Sequence, residues 1–140
     1  EVHFLIKMHP TMEMSLLLSH LSFSISKNMT FTSAEASFIL MKSNLIISGM
    51  SSICLEACAA GVPLVVFNSS SLIKFNSLPN NISKIIWKDV SNQKNLCNEV
   101  KYFLNLNHSD KEIISSYSEE VKKNNFKPVN EKTVKEFLKL

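Results

Sequence analysis

Two short, wholly apolar runs flanking one helix-length segment constrain this chain more than any other feature. Leu45-Ile46-Ile47 lies between turn residues and ends at Ser48-Gly49, and Leu64 to Phe67 is a second continuous apolar run. Runs of this length without a polar alternate suit strands buried on both faces, which are typical of parallel sheets. The intervening stretch, from about Ser51 to Ala60, reads as a helix closed by Gly61 and followed by Pro63. Glycine supplies the left-handed residue after a helix, and proline prevents its continuation. Strand, helix and strand at this spacing predict a parallel crossover unit.

The rest of the chain repeats this alternation. Val2, Phe4 and Ile6 alternate with His3, Leu5 and Lys7, a strand stopped at Met8-His9-Pro10. A short helix from about Met12 to His20 is expected next, then a second strand in which Leu21, Phe23 and Ile25 alternate with serines. Thr32-Ser33-Ala34-Glu35 has capping-box spacing and predicts a helix to about Lys42. Asn68 to Asn81 reads as a polar loop around Leu72-Ile73, and Lys84 to Trp87 as a last strand. Helices are expected from Asn92 to Leu106, from a capping box at Ser109-Asp110-Lys111-Glu112 to about Lys123, and at the terminus with Val134, Phe137 and Leu138. The expected class is α/β, a parallel sheet with helices on both faces. No repeat or linker divides the 140 residues, so a single domain is expected. The chain opens at Glu1-Val2-His3-Phe4 without an initiator Met and enters a strand directly, so either a domain cut from a longer protein or a chain lacking its natural start is expected.

Composition removes several function classes. The net charge of +3 is carried by lysines interleaved with Glu in the C-terminal third, which reads as solvated helix faces and not as a nucleic-acid stripe. The longest uncharged stretch but for one carboxylate, Ser43 to Ile73, is broken throughout by Ser, Asn, Gly and Pro and is no membrane span. Cys54, Cys58 and Cys97 lack metal-ligand spacing and read as reduced thiols of a cytoplasmic protein, the first two as buried small hydrophobes. No metal-ligand cluster or cofactor motif is visible. Arginine is absent and there are only two glycines, so any anion must be held without arginine forks or a glycine-rich loop.

Ligands of open α/β sheets bind at the carboxyl ends of the strands. Two groups of residues are expected there. His9 follows the first strand and is either a functional imidazole or a hydrogen-bonded loop residue. Gly49-Met50-Ser51-Ser52 follows the third strand and opens a helix, whose free N–H groups and dipole favour an anion. Gly49 permits close backbone approach, and Ser51 and Ser52 add hydroxyl donors; the alternative is that one serine simply caps the helix. Glu56 is the one charged side chain between Lys42 and Lys74, set in a helix of Ile, Cys, Leu and Ala. It is four residues past Ser52, too far for a capping box, so it either meets a ligand hydroxyl or lies at a solvent edge. Lys7 and Lys74 are further candidates for neutralising a phosphate. His3, His20 and His108 belong to no constellation.

Lys7-Met8-His9-Pro10 together with SGMSSICLEACAAGVPLVVF, Ser48 to Phe67, resembles the C-terminal, donor-binding half of GT-B glycosyltransferases. The resemblance spans roughly residues 2 to 105. It implies a Rossmann-like domain that binds a nucleotide-activated sugar, with Glu56 on the donor ribose. Many retaining members carry a second Glu where this chain has Ser48, which is a departure. The His-Pro dipeptide with a Ser-Ser helix start is similar to bacterial sialyltransferases, polysialyltransferases and related surface-polysaccharide enzymes that use CMP- or CDP-linked donors. In that pattern His9, as the catalytic candidate, and Ser51 and Ser52 would contact the donor phosphate. The resemblance further implies a separate N-terminal domain supplying the acceptor site and general base, either upstream in a longer protein or as a partner subunit. It leaves open peripheral membrane association through that larger assembly. Two alternatives share the fold: a nucleotide-sugar 2-epimerase-like domain, and a non-catalytic binding subunit completed by a partner. Sugar, base, acceptor and stereochemical outcome are not encoded in these motifs.

Overall fold

The computed structural model describes residues 1–9, 11–22, 24–49, 51–68 and 78–139. The chain is α/β, and every described strand pair is parallel. It divides into two compact units, Glu1–Lys42 and Ser43–Leu140. The strands fall into two small sheets, one of two strands and one of three, where the sequence suggests one.

The first unit contains β1 (Phe4–Lys7), α1 (Met14–His20), β2 (Met29–Thr32) and α2 (Ala36–Lys42). β1 pairs with β2 from Phe4 opposite Met29 to Lys7 opposite Thr32. The second strand is therefore Met29–Thr32, and of the segment that alternation suggests, residues 21, 22 and 24–26 form no strand while Phe23 lies outside the described residues. Met29-Thr30-Phe31-Thr32 makes the better strand because its β-branched and aromatic residues have ladder partners in β1, whereas alternation alone needs none. The expected capping box at Thr32 does not form either. Thr32 ends β2, its hydroxyl accepts from the Ala34 N–H at 3.1 Å, and the helix begins only at Ala36. α2 buries Ile39 and Leu40, whereas α1 buries no residue.

The second unit contains β3 (Ile46–Ser48), α3 (Ile53–Ala59), β4 (Leu64–Phe67), β5 (Trp87–Val90), α4 (Gln93–Leu104), α5 (His108–Asn125) and α6 (Glu131–Leu138). The strand order is β3-β4-β5. Val65, Val90 and Phe103 form a buried cluster joined by Leu45, Leu96 and Leu106, which places α4 on one face of the sheet. Neighbouring strand residues point to opposite faces, so Leu64, Val66 and Trp87 face the other way. There α3 packs on β3 and β4, and α5 packs on α3. Leu64 and Val65 are both fully buried, which is why this strand carries no polar alternate. Ile47 departs from that pattern at 43% exposed, because β3 is the end strand of the order.

Gly61 closes α3 as the sequence predicts. Its φ is +72°, its N–H reaches the Cys58 carbonyl at 3.2 Å, and the Val62 N–H reaches the Ala57 carbonyl at 3.0 Å. These are the two bonds of the Schellman closure. Two boundaries shift. Lys84 to Ile86 form a turn, and β5 starts at Trp87 because the fully buried Ile86 gives its carbonyl to the Leu64 N–H at 3.0 Å. α5 begins two residues before the Ser109 box, capped reciprocally by Asn107 and Asp110. The segment around Leu72-Ile73 lies outside the described residues. Among the described residues, no helix is long and apolar enough to cross a membrane.

Candidate functional site

β3 ends at Ser48, and Gly49, Ser51 and Ser52 carry the chain from its carboxyl end into α3. Neither serine caps the helix through its side chain. Ser52 occupies the N-cap position in helical rather than extended geometry (φ −58°, ψ −27°), and its hydroxyl makes no cap bond. The Ser51 and Ser52 carbonyls accept from the Cys54 and Leu55 N–H groups, both at 3.1 Å. The Ile53 N–H, one of the donors left over at a helix start, has no protein acceptor among the described residues. Both serines are exposed.

Glu56 lies in the first turn of α3 and is half-buried. Among the described residues its carboxylate makes no hydrogen bond or ion pair. The buried stripe of this helix is Cys54, Ala57 and Cys58. At 100° per residue, Glu56 and Ser52 share the opposite face, one turn apart. A first-turn carboxylate is also favoured by the helix dipole, a local role that its distance from the serines concealed in the sequence.

Gly49 is exposed, and a Cβ added there would meet nothing within 4 Å. Its backbone does not require glycine, in contrast to Gly61. Its carbonyl accepts from the buried Cys54 thiol at 3.4 Å, which ties the loop to the core beneath it. Cys54 and Cys58 are free and completely buried, as small hydrophobes should be, and Cys97 is exposed. Burial, with Cys54 nearby as a smaller contribution, pushes the Cys58 thiol up to about 12, so it is no nucleophile at neutral pH.

His9 belongs to the first unit, and Ser51, Ser52 and Glu56 belong to the second. His9 is exposed beyond the end of β1. Its Nδ1 lies 2.7 Å from the Thr11 hydroxyl and accepts from the Thr11 N–H at 3.3 Å, while the Met12 N–H returns to the His9 carbonyl at 2.9 Å. Thr11 was not among the residues expected to matter. The only sequence sign of it is a hydroxyl residue two positions after a histidine. Lys7 donates to the Ala34 carbonyl at 2.9 Å, joining the carboxyl ends of β1 and β2, and Lys74 lies outside the described residues.

The remaining histidines have local roles. His3 bonds Thr30 at 2.9 Å, the His20 imidazole N–H donates to the Leu16 carbonyl at 2.7 Å, and His108 faces Glu112 at 3.6 Å on the surface. No group of three or more His, Cys, Asp or Glu residues able to hold a metal ion occurs among the described residues. A shallow concavity along α6, bordered by Asn130, Lys132 and Lys135, is one helix's own surface and includes none of the candidate residues. The chain matches no family model, no curated protein sequence and no solved structure.

Proposed function

We propose that this chain is the donor-binding portion of a cytoplasmic glycosyltransferase of the GT-B type. On this reading it is a Rossmann-like domain that binds a nucleotide-activated sugar, CMP-linked by preference, for surface-polysaccharide synthesis. The observation that carries the reading is the β3–α3–β4 unit. At the carboxyl end of its first strand, two exposed serine hydroxyls and the Ile53 N–H have no partner among the described residues, with a half-buried carboxylate one turn further on. Such a helix start takes a phosphate through backbone and hydroxyl donors, and a carboxylate one turn in takes a ribose diol.

In the reaction, an acceptor hydroxyl oxygen bonds to the anomeric carbon as the bond to the nucleotide phosphate breaks and its electron pair leaves with that phosphate. Helix N–H groups, Ser51 and Ser52 stabilise the developing charge. The general base and acceptor site come from a separate domain or partner subunit, so the isolated chain binds donor without turnover.

Isothermal titration of the chain with CMP, CDP, UDP and GDP tests this. Saturable binding of CMP or CDP, weakened roughly tenfold or more by Ser51→Ala/Ser52→Ala, is expected. An absence of binding, or an unchanged affinity in the double variant, overturns the reading.

One observation favours the binding-subunit alternative. Val134, Phe137 and Leu138 on α6 are 41%, 86% and 54% exposed, an apolar face that the described residues leave uncovered. Gel filtration and pull-down with the partner glycosyltransferase subunit distinguish a docked chain from a self-sufficient one.

A further inference from the structure

We propose that α6 and the lysine-rich segment leading into it dock this protein on an anionic lipid surface, with Val134, Phe137 and Leu138 entering the interface. This stands independently of the nucleotide-sugar reading. The helix is set by its own sequence. Asn130 and Thr133 cap it reciprocally, and the Thr133 hydroxyl donates to the Pro128 carbonyl at 2.6 Å, which holds the approach from α5 against the first turn. At 100° per residue Val134, Phe137 and Leu138 fall within one arc of about 100°, and Lys132, Lys135 and Lys139 lie outside it. α6 buries no residue, and Phe137 is 86% exposed, with Val129 just ahead of the helix at 92%. These apolar side chains sit beside the whole positive excess of the chain. Residues 122–140 hold six lysines against two carboxylates, whereas residues 1–121 hold nine lysines against ten. Both carboxylates, Glu131 and Glu136, are taken up within α6, by Lys135 at 2.7 Å and Lys132 at 4.0 Å. Lys122, Lys123, Lys127 and Lys139 are exposed and have no ion pair among the described residues. The charge calls for an anionic partner, and the size of the face decides which kind. At 1.5 Å per residue α6 is about 12 Å long, so its single apolar stripe falls well short of the roughly 800 Å² that each side of a stable protein interface contributes. A bilayer asks for less: a few apolar side chains at headgroup depth, with lysines reaching the anionic headgroups by their long stems.

Cosedimentation of the full chain with lipid vesicles tests this. Binding is expected to vesicles of phosphatidylcholine and phosphatidylglycerol in equal parts, with little to phosphatidylcholine alone. Raising the ionic strength to about 1 M, where the Debye length is about 3 Å, should weaken it. Phe137→Ser/Leu138→Ser should lower the affinity roughly tenfold or more, and Lys122→Gln/Lys123→Gln/Lys127→Gln roughly fivefold per charge removed. All these side chains are exposed, so thermal melting of the variants should match the parent chain. Phe137→Trp should shift its emission to the blue on the anionic vesicles, against a constant background from Trp87, which is 6% exposed. No binding to the anionic vesicles, equal binding to the neutral ones, or binding indifferent to Phe137→Ser/Leu138→Ser overturns the proposal. A dimer in gel filtration that the same double substitution dissociates, without vesicle binding, assigns the face to a second copy of this chain and overturns it as well.

Discussion

Residues Glu1–Lys42 and Ser43–Leu140 both place parallel strands between helices, yet they differ in what covers those strands. In the second unit Leu64, Val65 and Ile86 have no accessible surface. In the first, Phe4 and Leu5 of β1 are 37% and 42% exposed, and burial of large apolar side chains is confined to Ile39 and Leu40 among the described residues. A two-stranded sheet is marginal in water without cover, whereas a three-stranded sheet with helices on both faces holds its own core. The candidate residues therefore rest on unequal foundations. Ser51, Ser52 and Glu56 are carried by the well-covered unit, and His9 by the thinly covered one.

Leu64→Ala against Leu5→Ala is the most direct way to break that comparison. The first removes a fully buried side chain and should cost about 2–5 kcal/mol, while the second should cost under about 1 kcal/mol. Urea denaturation of the full chain measures both, and equal costs would mean that the contrast in cover has no energetic counterpart.

A thiol titration should give the next largest effect. The folded Cys58 pKa of about 12 lies above its ordinary value of 9.0. Between these values the unfolded chain has lost a proton that the folded chain retains. Stability is thus complete below pH 9.0 and falls as pH rises toward 12, by at most about 1.4 kcal/mol per pH unit. Cys58→Ala should flatten this part of the pH profile. All three cysteines lie in the second unit, so the loss should register in its amide exchange first.

A smaller loss than that of Leu64→Ala should come from Gly61→Ala, at about 1–2 kcal/mol for a left-handed non-glycine residue. A Cβ there would also sit 3.2 Å from the Ser118 Oγ and 3.4 Å from its Cβ. Ser118→Ala in the same chain should recover the contact part and leave the backbone part, as read by thermal melting.

The same division separates what was legible in the sequence from what was not. β4 and the closure of α3 were read correctly because several signals coincide there: a wholly apolar run, a glycine, and a proline just beyond. The position of β2 was not legible. Leu21–Ser26 and Met29–Thr32 are both short runs with strand-forming residues, and pairing with β1 across more than twenty residues chooses between them. The start of α5 failed for a different reason. Asn107 with Asp110 and Ser109 with Glu112 are competing boxes two residues apart. Leu106, anchored in the Val65–Phe103 cluster, fixes the chain just ahead of the first. For the candidate site, the rule of strand carboxyl ends points to Gly49, Ser51 and Ser52, which do follow β3, and Glu56 stands out only as a lone charge in an apolar helix. It could not show that the serine hydroxyls are left out of the cap, since that depends on Ser52 taking helical backbone angles. Thr11 escaped because a contact between two exposed near neighbours leaves no trace in hydrophobic patterning.

The Cys54 thiol bonded to the Gly49 carbonyl has a consequence for how such a loop could lose its shape. Cys54 is fully buried against the sheet, so the entrance to α3 is moored to an atom that moves only when the interior moves. The anchoring of Gly49 and the fold of the second unit should then be lost over one temperature interval, with no earlier step in which Gly49 comes away while the interior stays intact.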